Sequence, residues 1–136
     1  MKRWLPPLAT VGALGLAAFI LYFSLMAKAD DPAPVHIAGI VRVFPPPGTA
    51  DFRRQDAFGA ELEFGWEGRL EVDRRVIPDD QLDRIPGINR LSFTPGPGKD
   101  IERLDGGRHC VDLYYWQTAL GPDSVGPPRS WCFTAS

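Results

Sequence analysis

The sequence contains few of the residues from which catalytic and metal sites are built. Only two of its 136 residues are histidine, and His36 and His109 have no second histidine at i+2 or i+4. A metal site needs three or four convergent ligands, and a serine hydrolase of the elbow type needs a G-x-S-x-G motif, which the sequence lacks. The sequence therefore predicts a protein that is not an enzyme, with no catalytic residues, no metal site and no cofactor.

Positive charge is also scarce. The chain has 15 basic and 17 acidic residues, and the part after residue 29 has 12 basic and 17 acidic residues, a net charge of −5 with histidine neutral. Nucleic acids and anionic lipids are bound by basic surfaces. The charge balance argues against both, and we predict no nucleic-acid partner.

Charge is missing altogether from residues 5–26, which read LPPLATVGALGLAAFILYFSLM. As a helix these 22 residues would be about 33 Å long, enough for a hydrocarbon core of about 30 Å. We predict an N-terminal transmembrane helix at 1–27 that contacts membrane lipid through residues 5–26, and a linker at 28–34. Lys2 and Arg3 hold the N-terminus in the cytoplasm, so the rest of the chain is exported.

A cleaved signal peptide is the alternative interpretation of this run. Ala27-Lys28-Ala29 matches the A-x-A cleavage signature. The run is longer than the usual apolar region of about 7–15 residues in a signal peptide, which favours a retained span.

Small residues form one face of the first half of the predicted span. Such a face lets helices approach closely in lipid, although alanine and glycine are also common in spans generally. The predicted helix-packing residues are Ala9, Gly12, Ala13 and Ala17.

Residues 35–136 predict short strands joined by turns. Twelve prolines and twelve glycines follow residue 29, which suits strands and turns better than long helices. The clearest strand is 58–66, where apolar residues alternate with acidic residues and glycine. We predict a hairpin turn at Glu67-Gly68, a bulge at Ala38-Gly39, at most one helical turn within 79–86, and further strands at 35–44, 69–73, 88–94, 108–117 and 129–135.

The two cysteines lie in the last two predicted strands, and in an exported domain such a pair typically forms a disulfide. If Cys110 and Cys132 face each other, Val111 lies opposite Trp131 and Leu113 opposite Arg129. The disulfide, Asp112, Tyr114 and Trp116 then share the outer face, and the inner face holds Val111, Leu113, Tyr115, Trp131 and Phe133. A reactive dithiol or metal pair is the alternative, but no C-x-x-C spacing supports it.

Five segments carry a resemblance to a known class of domain: FPPPG, LEVDRRVIP, LSFTPGPG, RHCVDLYYW and SWCFTA. With these segments, residues 35–136 resemble the immunoglobulin-like and fibronectin-III-like domains of bacterial exported proteins. The resemblance implies an all-β fold, an immunoglobulin-like antiparallel β-sandwich of about seven strands, preceded by the one transmembrane helix. It implies no function, because these segments are structural. Antibody domains instead bridge their two sheets through cysteines on the second and sixth strands.

Outward aromatic residues and paired arginines are the remaining candidates for function. Tyr114 and Trp116 project beside the loop at 118–128, and the arginine pairs are Arg53-Arg54 and Arg74-Arg75. Tyrosine, tryptophan and arginine dominate the energetics of protein–protein interfaces. We predict that these residues bind a partner protein; the alternative is that the loop folds back over Tyr114 and Trp116.

Together these features predict a membrane-anchored accessory or assembly subunit of the bacterial inner membrane. Its N-terminus would be cytoplasmic, and its periplasmic domain would dock onto other membrane protein subunits of a larger complex. Respiratory and photosynthetic complexes are candidate hosts. The alternative is a cleaved, soluble periplasmic or secreted module that binds a small ligand, a glycan or a metal.

Overall fold

The computed structural model describes Phe19, Tyr22 and residues 36–136. The chain divides into two compact units, Met1–Val35 and His36–Ser136. In the first unit, Phe19 and Tyr22 have helical backbone and exposed side chains. Among the described residues, no helix has the length and apolar character needed to cross a membrane.

Most of the predicted membrane segment falls outside the described residues. This applies to residues 5–26 apart from Phe19 and Tyr22, to the linker at 28–34, and to the A-x-A sequence at 27–29. It also applies to the small-residue face of Ala9, Gly12, Ala13 and Ala17. The transmembrane helix stays a prediction.

Within residues 36–136, eight strands form two antiparallel sheets, and three single turns of 3-10 helix join them. The strands are β1 Ile40–Phe44, β2 Phe58–Leu62, β3 Trp66–Val72, β4 Arg75–Val76, β5 Asp83–Ile85, β6 Arg90–Phe93, β7 Gly107–Gln117 and β8 Arg129–Ala135. The helical turns are Asp79–Gln81, Pro86–Ile88 and Pro122–Ser124. One sheet has the order β1-β2-β6-β5 and the other β4-β3-β7-β8. The predicted all-β, two-sheet sandwich is confirmed, with eight strands instead of about seven.

The core lies between the two sheets, because alternate residues of each strand point inward. Phe58 of the first sheet and Phe133 of the second have ring centroids 6.0 Å apart. Their neighbours in the core are fully or almost fully buried; they include Ala60, Leu62, Leu70, Val72, Leu91, Phe93, Val111, Leu113 and Trp131.

The predicted register of the last hairpin is confirmed. Cys110 pairs with Cys132, Val111 with Trp131 and Leu113 with Arg129. A disulfide joins the two cysteines. The inner face of the hairpin holds the five residues predicted for it, of which Tyr115 is half-buried and the other four are buried.

The prediction of one strand over 58–66 is wrong. β2 ends at Leu62, and β3 begins at Trp66 in the other sheet. Between them the Trp66 N–H donates to the Glu63 carbonyl, and Gly65 adopts a left-handed φ of 85°. The apolar alternation runs through this turn because Phe64, which is 78% exposed, keeps the period of two. The predicted turn at Glu67-Gly68 is also wrong, since both residues lie inside β3.

The first strand is shorter than predicted. It begins at Ile40, after a turn in which the Ile40 N–H donates to the Ile37 carbonyl. Ala38-Gly39 forms this turn and not a bulge; the register irregularity of β1 lies between Ile40 and Arg42. The short strands β4 and β5 were not predicted.

Candidate functional site

A cleft of about 420 Å³ opens beside the β2–β3 turn, where β3 begins and β7 ends. Its polar side chains are Gln117 and Ser124. Its walls are otherwise apolar or aromatic, formed mainly by Ile37, Trp66, Tyr115, Trp116, Leu120 and Pro127. A concave, largely apolar site of this size lies within the range of about 300–1,000 Å³ that ligand sites occupy.

The pairing of β3 with β7 brings the aromatic side chains of the cleft together. Trp66 lies opposite Gln117, so its ring reaches Tyr115 on the same inner face, with centroids 5.7 Å apart. Trp116 points to the opposite face because side chains alternate along a strand. The cleft therefore wraps around the end of β7.

Gly39 packs closely against the Trp66 ring. It has a φ of 90°, and a Cβ on it would lie 2.7 Å from the Trp66 ring. Only glycine allows both this conformation and this close approach. The Gly39 N–H also donates to Glu63 Oε2 at 3.1 Å, which ties the start of the domain to the β2–β3 turn.

Tyr114 and Trp116, predicted to bind a partner, are both half-buried on the outer face of β7. The Arg69 guanidinium lies 4.8 Å from the Tyr114 ring centroid, a cation–π contact. The Trp116 indole N–H is shielded from solvent and has no hydrogen-bond partner among the described residues.

The loop between β7 and β8 forms the other wall of the cleft. Ser124, Gly126 and Pro127 of this loop line the cleft together with Trp116. The alternative prediction is that this loop folds back over both Tyr114 and Trp116. The loop lies beside Trp116 in the cleft, and both aromatic side chains keep some exposed surface. Tyr114 is not among the lining residues of the cleft.

The arginine pairs lie at the opposite end of the domain from the cleft. Arg74 and Arg75 belong to the β3–β4 hairpin, and Val72 just before them pairs with Val111 near the start of β7. Arg54 accepts a hydrogen bond from the Leu104 N–H through its carbonyl, and Phe52 bridges to Ala135, which pairs with Gly107. The structure therefore does not bring the arginines to Tyr114 and Trp116. Arg53, Arg74 and Arg75 are exposed, and Arg54 is half-buried.

A buried histidine at that opposite end was not predicted as a structural feature. His109 Nδ1–H donates to Asp73 Oδ2 at 2.6 Å, and its Nε2–H donates to the Asp105 carbonyl at 2.8 Å. Both partners are hydrogen-bond acceptors, so the arrangement favours the form in which both ring nitrogens carry hydrogen and the imidazole is charged. Burial opposes this charge, but the hydrogen bonds to Asp105 and Asp73 outweigh burial and raise the pKa of His109 above its usual value. No periodic signal in the sequence marks this contact, because Asp73 and His109 are 36 residues apart.

No group of three or more histidine, cysteine or acidic side chains in the described part of the chain is placed to hold a metal ion. Among known proteins, no family model matches the sequence and no curated protein matches it.

Proposed function

We propose that this protein is a non-catalytic accessory or assembly subunit, anchored in the bacterial inner membrane, that docks its periplasmic domain onto a larger membrane protein complex. The observation that carries this proposal is the cleft between Trp66, Tyr115 and Trp116. Partly buried aromatic side chains in a preformed concavity are the usual anchors of protein interfaces, because they offer large contact area at little cost in conformational entropy.

The outer face of β7 extends this surface. Tyr114 stands two residues from Trp116 on the same face, with Arg69 stacked on its ring. The unpaired indole N–H of Trp116 adds to the argument, since a buried donor without a partner costs about 1–3 kcal/mol. A partner acceptor that reached this group after a small side-chain adjustment would remove that cost.

The strand order supports an immunoglobulin-like classification, which we also propose. Immunoglobulin-like sandwiches place strands A, B, E and D in one sheet and C, F and G in the other. The orders β1-β2-β6-β5 and β4-β3-β7-β8 correspond to this arrangement when β4 is taken as an added strand beside strand C. The disulfide differs, because it joins adjacent strands of one sheet.

The membrane anchor rests on the uncharged run at residues 5–26, which is long enough to span a bilayer. This anchor would fix the domain at the membrane surface, next to the exported parts of other membrane subunits. An anchored domain of this kind is suited to assembly or stabilisation of a complex.

A soluble binding module is the second candidate, and the volume of the cleft favours it for a small ligand. If residues 1–29 are removed after export, the domain is free to diffuse and the cleft could hold a compact apolar molecule. The mature N-terminus distinguishes the two candidates: it is Met1 in the anchored protein and Asp30 in the cleaved one.

The test is a double variant of the full chain, Tyr114→Ser with Trp116→Ser, expressed in the native host. Loss of an aromatic anchor typically costs at least about 2 kcal/mol, so we expect at least about 30-fold weaker association with the complex. Val76→Ser, at an exposed position on β4, is the matched control and should still co-purify.

Thermal unfolding of the same samples separates docking from folding. The proposal requires a melting temperature near that of the wild type together with lost co-purification. Co-purification at the wild-type level would refute docking through this face. Failure of the variant to fold would show instead that the two aromatic residues are core residues.

A further inference from the structure

Four chain segments meet at the β2–β3 turn and build one end of the domain. His36 Nε2 lies 3.0 Å from Glu63 Oε1, which places the start of the domain at this turn. The Asn89 side-chain amide donates to the Glu63 carbonyl at 2.7 Å, so the β5–β6 connection lies here as well. The Thr118 N–H donates to the Gly65 carbonyl at 2.8 Å, which adds the beginning of the β7–β8 loop.

This end, called the apolar end below, exposes large hydrophobic side chains on three of its four segments. Phe64 is 78% exposed on the turn, Leu120 66% on the β7–β8 loop and Ile88 50% on the β5–β6 connection. Glu63, the acidic residue at the centre of the turn, is engaged by His36 and by the Gly39 N–H.

The opposite end of the domain is polar. It consists of the β3–β4 turn, the loop at 94–106 and the segment at 49–56, and within these described segments no large hydrophobic side chain is exposed. Their exposed residues are mostly charged and include Arg53, Arg74, Asp100, Glu102 and Arg103. The two ends are about 33 Å apart along β7, which has 11 residues.

A partner in the cleft would leave Phe64 and Ile88 of this apolar surface uncovered. Leu120 lines the cleft, but Phe64 and Ile88 do not. Scattered exposed hydrophobic residues are ordinary, and Val76, on β4 just beyond the β3–β4 turn, is one of them at 53% exposure. Three on the joined segments of one end indicate a contact surface.

We propose that the apolar end lies in the interfacial region of the lipid bilayer, with Phe64 and Ile88 as its deepest side chains. This inference rests on the membrane anchoring proposed above. The predicted span ends at residue 26 and the chain enters the domain at His36, so the ten intervening peptide steps extend at most about 36 Å. Because His36 lies beside Glu63, the chain enters the domain at the apolar end.

Aromatic and aliphatic side chains at the level of the headgroups gain free energy by leaving water. The net negative charge of the exported part gives no attraction to anionic lipid, so the contact depends on apolar insertion and a zwitterionic bilayer suffices. The cleft, which shares Leu120 with this end, would then open at the membrane surface.

The test uses the isotope-labelled full chain in nanodiscs of phosphatidylcholine, with and without a lipid that carries a spin label at the top of its acyl chain. We expect loss of the amide NMR signals of Phe64, Ile88 and Leu120, and retention of those of Arg74 and Asp100. The variant Phe64→Ser with Ile88→Ser should recover the lost signals. Val76→Ser is the matched control and should not recover them.

The outcomes separate this inference from the anchoring on which it rests. A chain that does not elute with the nanodisc refutes the anchor and the inference together. A chain that elutes with the nanodisc while the signals of both ends survive, or fade equally, refutes the inference alone. If the amide signals of Phe64 and Ile88 change only after the host complex is added, the surface is a protein contact, and this outcome would also refute the inference.

Discussion

Replacing His109 by glutamine should destabilise the domain and remove most of the pH dependence of stability that arises from this histidine. The side chain is buried, and its two ring nitrogens join three parts of the chain: β7, the β3–β4 turn through Asp73, and the loop before β7 through Asp105. Asp73 also accepts the Cys110 N–H at 2.9 Å, so this contact lies directly beside the disulfide.

The expected loss is about 2 kcal/mol. A hydrogen bond to a charged group contributes about 1.5–3 kcal/mol and a neutral one about 1 kcal/mol. Glutamine can still donate one hydrogen bond, and the Asp73 side chain is 49% exposed, so solvent weakens the ionic contact. For both reasons the expected loss of unfolding free energy lies in the lower part of the range that the two hydrogen bonds allow.

The sign of the pH dependence follows from the raised pKa of His109. The folded state holds the proton more tightly than the unfolded state, in which the pKa of histidine is about 6.5. The stabilisation is therefore complete below about pH 6.5 and is lost as the pH rises through the folded-state pKa. The wild type should lose stability over this interval, and His109→Gln should lose much less of it.

Urea unfolding of the full chain in detergent, followed by tryptophan fluorescence from pH 5.5 to pH 9, measures this effect. His36→Gln is the matched control, because the His36 side chain, which contacts Glu63 at 3.0 Å, is 75% exposed. Equal pH dependence in the wild type and in His109→Gln would refute the charged, doubly bound histidine.

The disulfide and Gly39 support two further predictions. The variant Cys110→Ser with Cys132→Ser should lose about 3 kcal/mol of unfolding free energy, because the disulfide closes a loop with a sequence separation of 22 residues. Reductant should lower the melting temperature of the wild type and leave that of the variant unchanged. Gly39→Ala should cost at least about 1 kcal/mol, because the new Cβ would have a left-handed φ and lie 2.7 Å from the Trp66 ring. Gly87→Ala, with open space around its Cβ, should change the melting temperature little, and equal effects of the two alanines would contradict the packing described here.

The part of the fold that could be predicted from sequence is the part with a covalent constraint. Once Cys110 and Cys132 are paired, each residue of β7 from Gly107 to Leu113 has one partner on β8, and period-two alternation assigns each side chain to a face. For the same reason Tyr114 and Trp116 could be placed together on the outer face of β7.

The β2–β3 turn could not be predicted from alternation alone. Phe64 continues the apolar period although it is exposed, and the break depends on the left-handed Gly65. A single predicted strand over 58–66 joins β2 and β3, which belong to different sheets. The cleft cannot be predicted from it, because it assigns Trp66 to the end of β2 instead of the start of β3.

The remaining features of the candidate site depend on contacts between residues far apart in sequence. Gly39 meets Trp66, Glu63 meets His36, and Asp73 meets His109. None of these three contacts could be predicted from the local composition of the sequence. The arginine pairs show the same limit, since adjacency in sequence gave no information about the end of the domain at which they lie.

The membrane-anchored accessory role is tested most directly by mild-detergent extraction of native membranes, followed by native electrophoresis and intact-mass analysis of this chain. We expect a full-length mass beginning at Met1 that migrates with a large membrane complex. A mass beginning at Asp30, found free in the soluble fraction, would contradict both the anchor and the accessory role.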